Sequence, residues 1–494
     1  MDSIDPDRVA LRNAHFIGGR YVEGGAATLG VQRPSDGKSC GGLPLADADV
    51  VDQAVQDAWR AFKTSDWASR APRERARVMR RWADLVEADA ATLAPLEAVS
   101  STRPLRDAAA WDVPFTAEGI RFFAEWADKA GGGVAATATD HLGMTINEPY
   151  GVIGAIIPWN FPLVTTSWKI APALAAGNAV VVKPSEMTPY SALRLAELAV
   201  EAGLPQGLFN VVQGDGRTTG AALCRHPRIS KLTFTGSTAT GAAIMTACAE
   251  NGTKPVTLEL GGKSPQVVFA DVPDLERTAR MVARAITLNA GQVCNAGSRL
   301  IVQRAIAQEF VGRLSAIFAE LRPGATWDPD ATLAPIISLP QMDRIHGIVQ
   351  RAVAQGAHVF TGGCCFEAGP GGAYYQPTIL TGVRSEMDAV RHEIFGPVMT
   401  VQVFDDEEEA LALADHPDYG LASGIHTADI GRALRMARGI EAGTVWVNRY
   451  GRTSDFVIPT GGYKRSGFGK DLGRQAYEAC LRVKSVLIDI SKGE

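Results

Sequence analysis

Cys294 is a candidate nucleophile. It stands in the segment GQVCNAGSR at 291–299, which predicts a loop between a helix and a strand. A thiolate in such a loop can attack a carbonyl carbon, although a free cysteine is more often a small buried apolar residue. Its neighbours in the sequence include no histidine, so a base has to come from another part of the fold.

Glu259 is a candidate base. It lies in the apolar stretch TLELGGKSP at 257–265, where burial of its charge is costly. The carboxylate therefore has either an ion-pair partner, such as Lys263 or Arg299, or a raised pKa that suits a general base. The sequence leaves both interpretations open.

Further polar segments follow predicted strands, where open α/β sheets bind their ligands. Prolines flank Asn160, whose amide either stabilises an oxyanion or caps its own backbone. The segment KPSE at 183–186 offers an acid for ribose hydroxyls, and FTGSTATG at 234–241 has the strand, turn and helix start of a phosphate site. The segment EIFGP at 393–397 offers a carboxylate and an aromatic ring.

The elements that position these segments are short apolar strands alternating with helices. This rhythm predicts parallel sheets covered on both faces, in two α/β units that begin near residues 151 and 266. Two more strands, 144–148 and 486–490, lie outside both units and are expected to form an arm or an edge for self-association. Predicted helices include 49–62, 72–98, 163–176 and 190–203. The predicted strands of the two units are 152–157, 179–182, 208–212, 232–234, 266–269, 299–302, 357–360, 399–404 and 444–447.

Composition excludes several classes of protein. The formal net charge of −5 over 494 residues gives no basic face for nucleic acid. No apolar run approaches the roughly 20 residues of a membrane helix, and the acidic start MDSIDPDRVA is unlike an export signal. The 7 cysteines form no Cys-x-x-Cys pair. We therefore expect a cytoplasmic protein without a membrane, nucleic-acid or metal partner.

Together these segments resemble the NAD(P)-dependent aldehyde dehydrogenase superfamily, of the hydrolytic type that does not acylate coenzyme A. The resemblance covers nearly the whole chain and implies the family fold, two Rossmann-like parallel-sheet α/β domains in series with a small β oligomerisation arm. The motifs stand in family order: PWNFPL at 158–163, KPSE at 183–186, FTGS at 234–237, LELGGKSP at 258–265, GQVCNAGSR at 291–299, EIFGPV at 393–398 and GGYKRSG at 461–467.

The resemblance assigns roles to these residues. The implied reaction oxidises an aldehyde to the acid through a cysteine thiohemiacetal and thioester, which a Glu-activated water hydrolyses. The catalytic set is Cys294 as nucleophile, Glu259 as base, Asn160 in the oxyanion hole and Lys169 in a proton relay. Asp471, where many members have Glu, stays outside this set. The cofactor set is Ile157, Trp159, Lys183, Ser185, Glu186, Gly216, Gly236, Ser237, Leu260, Gly261, Glu393 and Phe395.

The carboxylate of Glu186 repels a 2′-phosphate, so NAD is expected rather than NADP. For the substrate, an arginine of the loop 448–456, Arg449 or Arg452, either meets a carboxylated aldehyde or is solvated. Phe161 stands where aminoaldehyde-oxidising relatives often carry Tyr, which argues against a cationic substrate. The predicted substrate tunnel consists of Phe115, Phe161, Thr165, Trp168, Val293, Asn295 and Phe456.

The resemblance also implies a division of the chain. Segments 1–129 and 150–260 are expected to bind NAD, 261–461 to form the catalytic domain, and 130–149 with 477–494 to form the arm of a homo-oligomer, a tetramer rather than a dimer. Two alternatives are a cysteine acyl hydrolase without redox chemistry and a non-catalytic structural protein. The nucleotide motifs argue against the first, and the intact catalytic residues against the second.

Overall fold

The computed structural model describes residues 4–25, 27–366, 368–452 and 455–491. Within the expected segments 1–129 and 477–494, residues 1–3, 26 and 492–494 lie outside this description. The chain forms mixed α/β layers around two large sheets, as the alternation of strands and helices predicts. Among the described residues, no helix is long and apolar enough to cross a membrane.

The larger sheet carries most of the candidate motifs. Its central strands are parallel and apolar along their whole length, which explains their complete burial between helices. Short antiparallel strands close both edges. In the part of the chain that the structure describes, its eight strands in order are β2 (Arg20–Val22), β1 (His15–Ile17), β9 (Phe209–Val211), β8 (Ala179–Lys183), β7 (Val152–Ile156), β10 (Ile229–Thr235), β11 (Val256–Glu259) and β21 (Gly467–Phe468).

The second sheet supports the cysteine loop. Its strands are parallel except at β14, which pairs antiparallel with β15. Again for the described residues, the order of its seven strands is β14 (His358–Thr361), β15 (Thr378–Thr381), β16 (Val398–Phe404), β13 (Arg299–Gln303), β12 (Pro265–Val268), β18 (Ala422–His426) and β19 (Thr444–Val447).

The two outlying strands pair as expected. β6 (His141–Pro149) and β22 (Leu481–Asp489) run antiparallel along their whole length, and β5 (Val134–Ala135) extends them into an arm. Alternate residues of this arm are exposed, including Val483 at 68% and Leu487 at 67%. Smaller pairs join β3 (Ala27–Gln32) to β4 (Ser39–Leu45), and β17 (Tyr419–Gly420) to β20 (Tyr463–Lys464).

Helices cover both large sheets. The predicted helix 72–98 is in fact two helices, because the chain breaks at Asp89, whose carboxylate accepts hydrogen bonds from Arg194 at 2.8 and 2.9 Å. The α-helices are α1 (Ala48–Thr64), α2 (Pro72–Ala88), α3 (Ala90–Ser100), α4 (Leu105–Asp107), α5 (Val113–Trp126), α6 (Pro162–Ala175), α7 (Tyr190–Glu201), α8 (Ala221–Arg225), α9 (Thr238–Glu250), α10 (Leu275–Thr287), α11 (Arg304–Ala319), α12 (Leu339–Ala354), α13 (Asp388–Arg391), α14 (Glu407–Ala414), α15 (Ile430–Gly439) and α16 (Gly473–Glu478).

Candidate active site

Sheet register gathers the candidate polar groups at one edge. Ile156 at the end of β7 lies beside Lys183 of β8 and Phe234 of β10, and Thr235 lies beside Glu259 of β11. Because these strands are parallel, the segments that follow them all leave the sheet on the same side. This edge therefore collects the predicted cofactor and base residues.

The cysteine loop arrives from the other direction through a strained turn. After α10, Asn289, Ala290 and Gly291 adopt left-handed φ values of 51°, 50° and 71°. Two consecutive non-glycine residues in this region cost of order 1–3 kcal/mol each. The surrounding structure therefore has to hold this turn, which delivers Cys294 three residues later.

A buried hydrogen-bond network supplies that support. Thr102 Oγ1 donates to Asn289 Oδ1 at 2.7 Å, and Asn289 Nδ2 donates to the carbonyl oxygen of Asn160 at 3.1 Å. Asn160 Nδ2 in turn donates to the Gln292 carbonyl at 3.0 Å, and Gln292 Nε2 donates to that of Pro335, also at 3.0 Å. The amide of Asn160 is thus held against the cysteine loop, rather than capping its own backbone.

The thiol of Cys294 is the centre of the electrostatics. Burial, then the negative charges of Glu259 and Glu393, raise its pKa to about 12. The backbone N–H of Asn295 and the charge of Arg452 act in the opposite direction. Cys294 is thus a thiol at neutral pH unless a base takes its proton or positive charge is added nearby.

Glu259 has the properties of a general base. Burial and then the charge of Asp471 raise its pKa to about 8. Its Oε1 is buried and has no hydrogen-bond partner in the described part of the chain. Lys169 lies in the same cluster, with its Nζ 2.7 Å from Asp471 Oδ2 and donating to the carbonyl oxygen of Phe234 at 3.3 Å.

The ion-pair interpretation of Glu259 is wrong. Arg299 uses its guanidinium on backbone carbonyls, including that of Lys263 at 2.8 Å. In the described residues, the buried Nζ of Lys263 has no hydrogen-bond partner, and burial lowers the pKa of Lys263 to about 7. The carboxyl group of Glu259 remains available for chemistry.

One half of the edge suits an adenosine diphosphate. Lys183 is buried and its Nζ donates to the Gly214 carbonyl at 2.9 Å, while the side chain of Glu186, 3.5 Å away, is 41% exposed. Ser237 caps α9 and leaves the helix N-terminus facing this edge. An open carboxylate beside a fixed ammonium, next to such a terminus, fits ribose hydroxyls and a pyrophosphate.

The other half suits a nicotinamide ribose. Glu393 Oε1 accepts a hydrogen bond from the Gly262 N–H at 3.0 Å, and burial raises the pKa of Glu393 to about 7. A Cβ at Gly261 would collide with the Glu393 carboxyl, so only glycine allows this approach. Phe395 has φ 54°, and its ring meets the edge of Trp159 with centroids 5.2 Å apart.

The rest of the predicted cofactor set follows the carboxyl ends of strands of the same sheet: Ile157, Ser185, Gly216, Gly236 and Leu260. The donor set, the glycine cradle and the buried carboxylate together fit a nicotinamide dinucleotide. Among the residues that the structure describes, no cluster of three or more His, Cys, Asp or Glu side chains could hold a metal ion.

Aromatic rings bring the predicted tunnel residues together. Phe115 lies 4.6 Å from Phe456 and 6.1 Å from Trp168, centroid to centroid. Phe161 joins them through Trp111, which stacks on Phe115 at 4.5 Å. Thr165 is buried in α6, and Val293 and Asn295 flank Cys294.

Several residues of the site were not predicted. Trp111 precedes Phe115 by four residues, a helical spacing that signals a shared face. Phe122 packs against Phe456 with centroids 5.9 Å apart. Thr102 and Asn289 carry no motif of their own, and only the fold reveals their contact.

Comparison with known proteins agrees with this geometry. The model of the aldehyde dehydrogenase family matches residues 21–486. An NADP/NAD-dependent aldehyde dehydrogenase of Escherichia coli is 41% identical over 98% of this chain and 97% of its own length. The chain belongs to the aldehyde dehydrogenase family. It is therefore an oxidoreductase that oxidises aldehydes to acids with NAD(P), and the redox interpretation replaces the hydrolase and structural alternatives.

Other aldehyde dehydrogenases match as fully. An aminoacetaldehyde dehydrogenase of Pseudomonas aeruginosa is 40% identical over 96% of this chain and 95% of its own. The NAD+ complex of an aldehyde dehydrogenase from Bacillus cereus superposes with a TM-score of 0.96 at 38% identity, covering 99% of this chain and 100% of the other. These likenesses confirm the family fold expected from the motifs.

Proposed function

We propose that this aldehyde dehydrogenase prefers NAD and releases a free acid by hydrolysis of a Cys294 thioester. The observation that carries the proposal is the buried Glu259 carboxyl, whose charge acts on Cys294 and whose Oε1 has no partner in the described part of the chain. A carboxyl group in this position can bind a water molecule and take its proton.

The first half of the reaction belongs to Cys294. Its thiolate forms a bond to the aldehyde carbon, and the amide of Asn160 with the Cys294 backbone N–H holds the oxyanion. Each such donor contributes roughly 3–4 kcal/mol to transition-state stabilisation. A dinucleotide bound by the cofactor set supplies a hydride acceptor, and loss of hydride from the carbon bonded to sulfur gives the thioester.

The second half belongs to Glu259. It takes a proton from a water molecule, whose oxygen bonds to the thioester carbon as the carbon–sulfur bond breaks. The products are the carboxylic acid and the Cys294 thiolate. The pair of Lys169 and Asp471, 2.7 Å apart, lies in position to relay the proton from Glu259.

Two variants test these roles. Glu259→Gln should give a first burst of reduced nicotinamide and lose steady turnover, because acylation proceeds and hydrolysis stops. Cys294→Ala should give neither burst nor turnover while still binding NAD. Rapid-mixing absorbance records both phases, and full steady-state activity in Glu259→Gln would remove Glu259 from the mechanism.

The preference for NAD depends on Glu186. Its exposed carboxylate repels a 2′-phosphate, so Glu186→Gln should raise kcat/KM for NADP relative to NAD by about fivefold or more. Glu201→Gln, an exposed acid at the end of α7, is the matched control. Equal kcat/KM for the two cofactors in the wild type would contradict the preference.

The arm is assigned to self-association. Exposed apolar residues such as Val483 and Leu487 on a strand pair are expected to be covered by a second copy of the chain. We assign 1–129 and 150–260 to NAD binding, 261–461 to the catalytic domain, and 130–149 with 477–494 to this arm of a homotetramer. Light scattering at micromolar concentration checks the state, and a monomer would contradict it.

A further inference from the structure

The two arginines of the loop 448–456 have different surroundings. Arg449 is exposed, and its Nη2 donates to the Gly451 carbonyl at 3.2 Å. Arg452 is partly buried, and its guanidinium carbon lies 5.5 Å from the ring centroid of Trp168, a wall of the tunnel. The loop therefore directs one arginine towards solvent and the other towards the substrate.

Arg452 is also close to the reacting groups. Its positive charge lowers the pKa of both Cys294 and Glu259. Its single described hydrogen bond is from Nη1 to the Ile458 carbonyl, at 3.4 Å. Within the described residues, no carboxylate forms an ion pair with it. A guanidinium is charged at every ordinary pH, so most of its donors remain for a ligand.

A neighbouring donor points to the same kind of ligand. Trp168 Nε1 is buried and has no hydrogen-bond partner in the part of the chain described. The remaining walls of the tunnel, including Phe115 and Phe456, are apolar rings. The tunnel thus offers hydrogen-bond donors and positive charge beside Cys294, in a space that is otherwise aromatic.

We propose that Arg452 selects short aldehydes that carry a carboxylate, and disfavours aldehydes that carry an ammonium group. This inference rests on the proposed function and adds the class of substrate to it. The carboxylate accepts hydrogen bonds from the guanidinium while the aldehyde carbon reaches Cys294. An ammonium group in the same place is repelled, although the aromatic rings alone would suit a cation.

The test compares three aldehydes of similar length: 4-oxobutanoate, the uncharged pentanal and the cationic 3-aminopropanal. Arg452→Gln should lower kcat/KM for 4-oxobutanoate at least tenfold, mainly through KM, and leave that for pentanal within about twofold. It should raise kcat/KM for 3-aminopropanal, and Arg452→Lys should recover part of the preference. Arg449→Gln is the matched control and should change none of these values.

The outcomes separate this inference from the proposed function. An equal loss for all three aldehydes would mean that Arg452 acts on Cys294 or Glu259 and not on the substrate, which overturns the inference. A wild type that oxidises pentanal as well as 4-oxobutanoate also overturns it, while the proposed function stands. A wild type that reduces NAD with none of the aldehydes overturns both.

Discussion

Turnover should rise with pH through the pKa of Glu259. Burial and the charge of Asp471 raise this pKa to about 8, and the base acts only when it is deprotonated. With that pKa, about one tenth of the carboxyl groups are ionised at pH 7 and about nine tenths at pH 9. Where hydrolysis limits turnover, kcat should therefore increase about tenfold over this interval.

Asp471→Asn tests the cause of the shift. The substitution keeps the shape of the side chain and removes the negative charge that follows burial as a cause of the raised pKa. It also leaves the charge of Lys169 without its carboxylate partner, and this charge lowers the pKa of Glu259. Both effects act in one direction, so the acid limb should move down by about one pH unit, equivalent to about 1.4 kcal/mol.

The assay follows reduced nicotinamide between about pH 6 and pH 10, at saturating aldehyde and NAD. Rapid mixing separates the burst, which reports the Cys294 thiolate, from steady turnover, which reports Glu259. Glu259→Gln is the control and should show no acid limb in kcat. A wild-type kcat that is flat from pH 7 to pH 9, or an acid limb that moves upward in Asp471→Asn, would refute the reasoning.

Two further predictions concern the groups behind the site. Asp112→Ala should destabilise the protein by about 3–5 kcal/mol in chemical denaturation, because it leaves the buried Arg103, now bound through two hydrogen bonds of 2.8 and 3.1 Å, without its partner. A loss below about 1 kcal/mol would contradict this. Thr102→Val should lower kcat about fivefold to tenfold without changing the Kd for NAD, because Asn289 loses the hydroxyl that orients it. An unchanged kcat would show that the turn holds itself.

The central strands could be predicted because complete burial requires apolar runs, as in β7 and β8. The break between α2 and α3 could not, because the ion pair of Asp89 with Arg194 joins residues far apart in the sequence. The edge strand β21 is only two residues long and has no alternation to recognise. Such elements form where an existing edge accepts them, which a local pattern does not report.

The site divides in the same way. Cys294 and Glu259 could be selected because each is chemically out of place in its own segment. The choice between Arg449 and Arg452 could not be made, because it depends on which way the loop turns them. The contact of Thr102 with Asn289 joins residues 187 positions apart and depends on how their elements pack.

The late position of β21 and β22 has a consequence for biosynthesis. β21 lies against Leu258 and Glu259, and Asp471 follows shortly after it. A ribosome therefore releases the nucleophile, the base and the nucleotide-binding strands long before the strand that flanks the base. Until that strand arrives, β11 is an open edge able to pair wrongly. Chaperones that shield nascent chains should matter most for this enzyme during the last stage of its synthesis.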